Sequence, residues 1–177
     1  LLKLLYFDLF PHKGKVEILK YSSANIKKSS IHKVRKKIGV VFQDYKLLSD
    51  RTLFENIALP LHVMGFSSNQ IASRVDEAIE LVGLEGKESH FPKELSGGEQ
   101  QRASLARAFI KEPDIILADE PTGNLDEVTS EQVMELFIEV VRSSNSALLM
   151  VTHSHHMAAF LQRRLSLSNG QIEAASH

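Results

Sequence analysis

Hydrophobic residues follow two different spacings along this chain, and each spacing predicts one type of secondary structure. Short continuous runs of apolar residues predict buried strands, whereas apolar residues that recur every three or four positions predict amphipathic helices. The runs that predict strands lie at Ile38–Phe42, at 114–118 and at Ala147–Val151. The helical spacing begins near Leu1, Thr52, Ser68, Ser96 and Val133.

Capping and turn residues mark the ends of several segments. Ser68 is the predicted N-cap of one helix, and Pro60 is expected to kink or end the helix before it. Alternating polar and apolar residues at 15–19 predict a further strand. The pair Asn169-Gly170 predicts a hairpin across 166–172.

The order of these segments predicts the fold class. Apolar strands that alternate with helices indicate an α/β fold with a mostly parallel sheet that is covered on both faces. Residues 50–105 break this alternation, because three helical segments follow one another there without a strand. We therefore expect one domain over residues 1–177, with a helical subdomain inserted at 50–105.

Composition and charge exclude several classes of function. Of the 177 residues, 43% are hydrophobic and 24% are charged, and the net charge is −1, which argues against a nucleic-acid partner held through its phosphates. The absence of cysteine excludes disulfides, thiolate catalysis and Cys–zinc sites. No run approaches the roughly 18 apolar residues of a membrane span, and no signal-peptide pattern opens the chain, so we expect a cytoplasmic protein.

Polar side chains follow all three apolar strands. Gln43 follows the first strand, Asp119 and Glu120 end the second, and His153 follows the third. Each residue alone could be a polar strand end that contacts water in a loop. Because ligands of parallel sheets bind at the carboxyl ends of the strands, the set together predicts a crevice for Mg²⁺ and phosphate.

A glycine pair at a predicted helix start provides a second candidate phosphate contact. Ser96 and Glu99 have the spacing of a capping box, and Gly97 and Gly98 lie between them. Free backbone N–H groups and the helix dipole favour an anion there. The alternative is a well-capped surface helix, which accounts for Ser96 and Glu99 but not for two adjacent glycines.

Together these segments resemble the motifs of ATP-binding-cassette (ABC) ATPases. Residues 95–102 resemble the signature motif, 115–121 the Walker B strand with its following glutamate, and 123–126 the D-loop. Residues 41–44 resemble the Q-loop and 151–153 the H-loop. The resemblance implies a P-loop NTPase-like (RecA-like) core and ATP hydrolysis with Mg²⁺.

The resemblance also implies a role for each matching residue. Asp119 and Gln43 would serve the Mg²⁺, Glu120 would polarise the attacking water, and His153 would contact the γ-phosphate. Asp126 would lie at the seam of a head-to-tail homodimer. The residues that would bind the ATP of the opposite subunit are Ser96, Gly97, Gly98, Glu99 and Gln100.

Within the family, the Q-loop region and the helical insertion are most similar to ATPases that serve bacterial cell division. Lipoprotein-release and macrolide-export ATPases are the alternatives, since they share residues 118–123. The resemblance implies an integral membrane permease as partner, docked on a groove lined by residues 44–60. The ATPase would then be peripheral on the inner face of the cell membrane.

One motif of the family is missing from the sequence. The glycine-rich Walker A loop, which ends in Gly-Lys-Ser/Thr, would stand immediately before Leu1, and residue 1 is not methionine. We expect that the sequence is clipped and that these residues alone are inactive. The alternative is a degenerate form that docks on a membrane partner without hydrolysing ATP.

Overall fold

The computed structural model describes residues 1–174, in which helices surround a central sheet. The first part contains α1 (Leu2–Leu5), β1 (Glu17–Ile18), β2 (Tyr21–Ser22), α2 (Ile31–Lys36) and β3 (Ile38–Phe42). Three helices follow, α3 (Leu53–Met64), α4 (Ser68–Leu81) and α5 (Gly97–Phe109). The last part contains β4 (Ile115–Asp119), α6 (Glu127–Ser143), β5 (Ala147–Val151), α7 (His155–Ala158), β6 (Leu165–Ser168) and β7 (Gln171–Ala174).

The central sheet has three strands in the order β3-β4-β5, and all are parallel. These are the three apolar runs of the sequence, so their prediction as strands is confirmed. The register pairs Phe42 with Asp119 and Asp119 with Val151. The three strands therefore end at the same level, on one edge of the sheet.

Alternate residues of each strand enter two different apolar clusters, one on each face of the sheet. Val41, Ile116 and Ala118 pack with residues of α5 and α6, including Phe109 and Phe137. On the opposite face, apolar strand residues pack with residues of α1 and α2 and with neighbouring segments; this second set includes Ile38, Leu117, Leu2, Phe7, Ile18 and Val34. A sheet covered on both faces is what continuous apolar strands require, because neither face can remain in water.

The helices between β3 and β4 form a third apolar cluster of their own. Residues of α3, α4 and α5 meet there, among them Leu53, Ile57, Ile71, Val75 and Ala106. Between Phe42 and Ile115, a stretch that the structure describes in full, no strand forms. Helix α5 also contributes to the sheet cluster through Leu105 and Phe109, so it belongs to both packing units. The boundary of an inserted subdomain at 50–105 stays a prediction.

Local structure differs from the sequence-based expectations at a few positions. The N-cap of α4 is Ser67 rather than Ser68: the Gln70 side chain accepts a hydrogen bond from the Ser67 backbone N–H at 3.1 Å. Pro60 does not end α3, which continues to Met64 and ends at Gly65, a residue with φ of 85°. The strand expected at 15–19 is only the two-residue β1. The hairpin is confirmed, with Asn169 and Gly170 both at positive φ.

Among residues 1–174, none of the helices has both the length and the apolar character needed to cross a membrane.

The packing of Gly39 allows a first test of this fold. A Cβ on Gly39 would lie 2.7 Å from the Ala108 carbonyl oxygen and would collide with Cδ1 of Ile116. Because one obstacle is backbone, Gly39→Ala should lower the free energy of unfolding by about 1–3 kcal/mol, as overpacking does in other cores. Urea denaturation measures the change. An unfolding midpoint equal to that of the parent protein would contradict this packing of α5 on the sheet.

Candidate functional site

Two of the predicted polar residues at the strand ends, Glu120 and His153, meet in the folded chain. The Glu120 carboxylate accepts a hydrogen bond from the backbone N–H of His153 at 2.9 Å, and its Oε1 lies 2.8 Å from Nδ1 of the same residue. The two residues follow β4 and β5, whose parallel pairing brings them side by side. The sheet edge therefore places a carboxylate and an imidazole in direct contact.

Glu120 lies at a backbone turn of left-handed conformation. Its φ is 45°, which costs a non-glycine residue about 1–2 kcal/mol. The backbone N–H of Glu120 donates to the Val151 carbonyl, and its own carbonyl accepts from Gly123, both at 2.9 Å. The Glu120 side chain is 19% exposed, whereas that of His153 is 82% exposed. The turn thus holds a mostly buried carboxylate beneath an open histidine.

Gln43 meets the D-loop residue Asn124 rather than the histidine. The Gln43 side chain donates to Asn124 Oδ1 at 3.1 Å, and Asn124 donates back to the Gln43 carbonyl at 2.9 Å. A Cβ on Gly123 would lie only 2.9 Å from Gln43 Nε2, so a larger residue there would displace the Gln43 side chain. The end of β3 and the D-loop are joined by a reciprocal pair of hydrogen bonds.

The chemistry of the proposed metal ligands fits a hard cation. Gln43 and Asp119 are exposed residues at the ends of neighbouring strands, and Asp119 pairs with the residue immediately before Gln43. The Asn124 contact uses the Gln43 amide nitrogen, which leaves its oxygen to ligate. Within residues 1–174, no group of three His, Cys, Asp or Glu side chains could hold a metal by itself. Mg²⁺ fits such a site, because it commonly takes one or two protein oxygens and completes its shell with water and phosphate.

The signature loop is a complete capping box at the start of α5. The Ser96 hydroxyl accepts from the Glu99 N–H at 3.3 Å, and the Glu99 carboxylate accepts from the Ser96 N–H at 2.7 Å. Lys87 lies 3.0 Å from the same carboxylate. The hydrogen bonds from the Ser96 backbone and from Lys87 lower the pKa of Glu99 to about 2. The capping interpretation of Ser96 and Glu99 is confirmed.

Packing alone, without a ligand, explains the two glycines of the signature loop. A Cβ on Gly97 would lie 3.0 Å from the Tyr45 hydroxyl, and a Cβ on Gly98 would lie 2.6 Å from the Thr129 methyl group. Gly97 also faces Leu125 of the D-loop region. The loop is therefore packed against the Q-loop and the start of α6, and larger residues would push these segments apart.

The remaining predicted residues have local structural contacts. Asp126 is the N-cap of α6: its carboxylate accepts from the Thr129 N–H at 3.0 Å and from the Thr129 hydroxyl at 2.6 Å. The Gln100 side chain donates to the Leu95 carbonyl at 3.1 Å. Their assignment to a dimer seam and to a bound nucleotide stays a prediction.

Arg107 was missed by the sequence reasoning. Its guanidinium donates to the carbonyls of Tyr45 and Lys46, both at 2.6 Å, and burial lowers its pKa. Tyr45 and Lys46 have φ of 59° and 50°, so Arg107 stabilises two consecutive left-handed residues after the Q-loop. The only signal in the sequence is an arginine between alanines in an otherwise apolar part of α5.

Known proteins are similar to this chain in sequence and in structure. The model of the family described as "ABC transporter" matches residues 1–123. The chain is 42% identical over 172 residues to the cell division ATP-binding protein FtsE of Mycobacterium tuberculosis, an alignment that covers 97% of the chain and 74% of the relative. The chain belongs to the ABC transporter family of ATPases.

Further relatives extend the similarity of this ABC ATPase. The Bacillus subtilis FtsE is 44% identical, with 97% of the chain and 75% of the relative covered. The Escherichia coli FtsE is 42% identical, with 97% and 78% covered. These matches support the cell-division type that the sequence motifs indicated within the family.

Two solved structures confirm the predicted fold class. A dimeric structure of MJ0796, described as a bacterial ABC transporter cassette, superimposes with a TM-score of 0.85 at 34% identity. A second dimer of MJ0796, in a post-hydrolysis state bound to ADP and Pi, has a TM-score of 0.83 at 33% identity. Each match covers 98% of this ABC ATPase and 78% of the solved chain.

The lowered pKa of Glu99 predicts a specific pH dependence of stability. Because the carboxylate has a lower pKa in the folded protein than the ordinary 4.5, its charge stabilises the fold above about pH 4.5. This contribution disappears as the pH falls towards 2. Glu99→Gln should cost about 1 kcal/mol at pH 7, and the difference from the parent should shrink as the pH is lowered.

Urea unfolding of both proteins between pH 7 and pH 2.5 measures this difference. Glu80→Gln, at an exposed position on α4, is the control, and its difference from the parent should not follow that course. A Glu99→Gln cost that stayed constant over the whole range would show that the charge of Glu99 does not stabilise α5.

Proposed function

We propose that this chain is the ATP-hydrolysing subunit of a bacterial membrane ABC complex of the FtsE cell-division type, coupled to an FtsX-like permease. The observation that carries the proposal is the Glu120–His153 contact at the common edge of β3, β4 and β5. A signature loop and a D-loop packed beside that edge support it.

Asp119 and Gln43 are the residues that would hold Mg²⁺ beside the nucleotide. Bound there, the ion would neutralise charge on the β- and γ-phosphate oxygens. Gln43 would also link the Mg²⁺ position to the D-loop, because its side-chain amide donates a hydrogen bond to Asn124. A change in what Gln43 binds would therefore move the D-loop, the segment that the resemblance assigns to the dimer seam.

Glu120 and His153 would carry out the hydrolytic step. Glu120 orients the attacking water and accepts its proton as the water oxygen bonds to the γ-phosphorus, while the bond from that phosphorus to the β–γ bridging oxygen breaks and ADP leaves. With a proton on each ring nitrogen, His153 donates through Nδ1 to Glu120 and through Nε2 to a phosphate oxygen, because both partners are acceptors. The His153 side chain is 82% exposed, so its ring is accessible to a bound nucleotide.

The signature loop would complete the site of a second copy of the chain. In a head-to-tail homodimer, the N–H groups at the start of α5 and residues 96–100 face the phosphates of ATP bound by the partner. The MJ0796 cassettes, which share the fold, are dimers. Asp126, close to Leu125 and the glycine loop, would lie at the seam between the two copies.

Residues 44–60 would form the docking surface for the permease. Asn56 is buried and organises this segment: it accepts from the Leu48 N–H at 2.7 Å and donates to the Leu48 carbonyl at 3.0 Å. The Leu48 side chain remains exposed, as does that of Leu59. Rigid backbone with exposed apolar side chains suits a partner on the inner face of the membrane.

Other members of the family are alternatives for the process that is served. A lipoprotein-release or macrolide-export ATPase would use the same hydrolytic residues with another permease. A docking module that does not hydrolyse ATP is the alternative of a different class, and the measurement of turnover separates it from the proposal.

The carboxylate of Glu120 is the first residue to test. In the protein expressed from its complete gene, Glu120→Gln should reduce ATP turnover by about 100-fold or more, because an amide cannot accept the proton of the attacking water. ATP should then accumulate in a stable dimer. Phosphate release and light scattering with ATP and Mg²⁺ measure the two effects.

A second glutamate–histidine pair offers a matched control. Glu131 and His156 lie 2.8 Å apart on α6 and α7, with the same chemistry. Glu131→Gln should leave turnover at the parental rate. Parental turnover in Glu120→Gln would show that the assigned role is wrong, and a parent protein without turnover would favour the docking module.

The docking surface is tested separately at Leu48. Leu48→Asp places a charge on the exposed segment without removing its backbone contacts to Asn56, so the protein should still fold. It should no longer co-purify with its membrane subunit, because burying a carboxylate in an apolar contact is costly. Leu81→Asp, at an exposed residue of α4, is the control and should co-purify normally. The opposite result would place the permease on α4.

A further inference from the structure

Gln101 is a fully buried polar residue in the first half of α5. It is 0% exposed, and its amide nitrogen donates a hydrogen bond to the backbone carbonyl of Pro121. A buried amide is costly unless its groups are hydrogen-bonded, and the Gln101 oxygen has no such partner within residues 1–174. An apolar side chain of the same size would fill this space at a lower free-energy cost. The amide at this position therefore indicates that the hydrogen bond to Pro121 has a role.

Pro121 directly follows Glu120, the residue at the left-handed turn. This turn is held on one side by β5, through the bond from the Glu120 N–H to the Val151 carbonyl. The Ser130 hydroxyl of α6 donates to the Thr122 carbonyl at 3.3 Å. Gln101 of α5 adds a contact from a third element. It binds the Pro121 carbonyl, which lies between Glu120 and Thr122.

The same helix begins at the signature loop. Ser96 is the N-cap of α5, and Gln101 lies five positions further on, which is about 7.5 Å along the helix axis. A helix moves as a rigid unit over this distance, so a shift of the signature loop displaces the Gln101 side chain as well. The chain of contacts runs from Ser96 through α5 and Gln101 to Pro121 and Glu120.

We infer that Gln101 is a positioning residue: it holds the Glu120 turn in its left-handed form and links the carboxylate to the seating of the signature loop. The inference rests on the proposed function of Glu120. Gln101 itself contacts neither nucleotide nor water in this role; it acts through the backbone of Pro121. Binding of the signature loop to the partner's ATP would therefore change the position of the Glu120 carboxylate in the same chain.

Gln101→Met is the most direct variant. Methionine retains the volume and removes both the donor and the unpaired acceptor, so the folded state should keep its melting temperature within a few degrees. We expect kcat for ATP to fall about tenfold while KM changes less than about twofold, because a misplaced catalytic group affects the chemical step and not nucleotide affinity. Gln101→Asn, whose shorter amide does not reach Pro121, should show the same fall in kcat, although its unpaired buried amide lowers the melting temperature further.

Ser104→Ala is the matched control on the same helix. Ser104 is also 0% exposed and its hydroxyl has no hydrogen-bond partner in the part of the chain that the structure describes. Ser104→Ala removes a buried hydroxyl of α5 and leaves the hydrogen bonds of the Glu120 turn in place. Turnover should equal that of the parent; a fall as large as that in Gln101→Met would mean that any change inside α5 lowers activity, which overturns the inference.

A double-mutant cycle with Glu120→Gln tests whether Gln101 acts through Glu120. If it does, Gln101→Met should lower the residual turnover of Glu120→Gln by less than about twofold. A full further tenfold loss would show an independent effect and overturn the inference.

Hydrogen–deuterium exchange without nucleotide separates this inference from the proposed function. The Gly123 N–H, which bonds to the Glu120 carbonyl, should exchange at least about tenfold faster in Gln101→Met and in Gln101→Asn than in the parent or in Ser104→Ala. Unchanged exchange across 120–125 would overturn the positioning role even if turnover falls. A parent without ATP turnover would reject the proposed function, and the exchange rates would still decide whether Gln101 holds the turn.

Discussion

The parallel register of β3, β4 and β5 is the constraint on which the candidate site depends. Because Phe42, Asp119 and Val151 lie side by side, the three segments that follow them leave the sheet at one edge. The contact between Glu120 and His153 follows directly from this alignment. A shift of one residue in either pairing would exchange the side chains of the two faces and disrupt both apolar clusters, so the packing of both faces protects the geometry of the site.

Helix α5 connects the sheet to the helices that precede it. It contributes to two apolar clusters, carries the signature loop at its start and bonds to the Q-loop turn through Arg107. The proposed link through Gln101 adds the Glu120 turn to these contacts. One rigid element thus contacts the Q-loop turn, the D-loop region and the turn after β4. Coupling between the sites requires no long pathway, only a movement of α5.

Three of the strained backbone positions lie at functional turns. Glu120, Tyr45 and Lys46 are non-glycine residues at positive φ, and each is held by hydrogen bonds from another element. Such positions persist only where the surrounding structure stabilises them. The local sequence does not indicate them, because no glycine or asparagine stands at the positive-φ positions themselves. This is why Arg107 and Gln101 could not be recognised as partners of the site before their contacts were known.

The sequence by itself determined the three parallel strands, the capping box at Ser96, the hairpin at Asn169 and the polar residues at the strand ends. All of these depend on local rules: apolar runs, side-chain caps and turn residues act within a few positions. Tertiary structure alone decided that Gln43 binds Asn124 and that Gly97 and Gly98 make room for Tyr45 and Thr129. Those outcomes depend on how distant segments pack against each other, and spacing along the chain carries no information about such contacts.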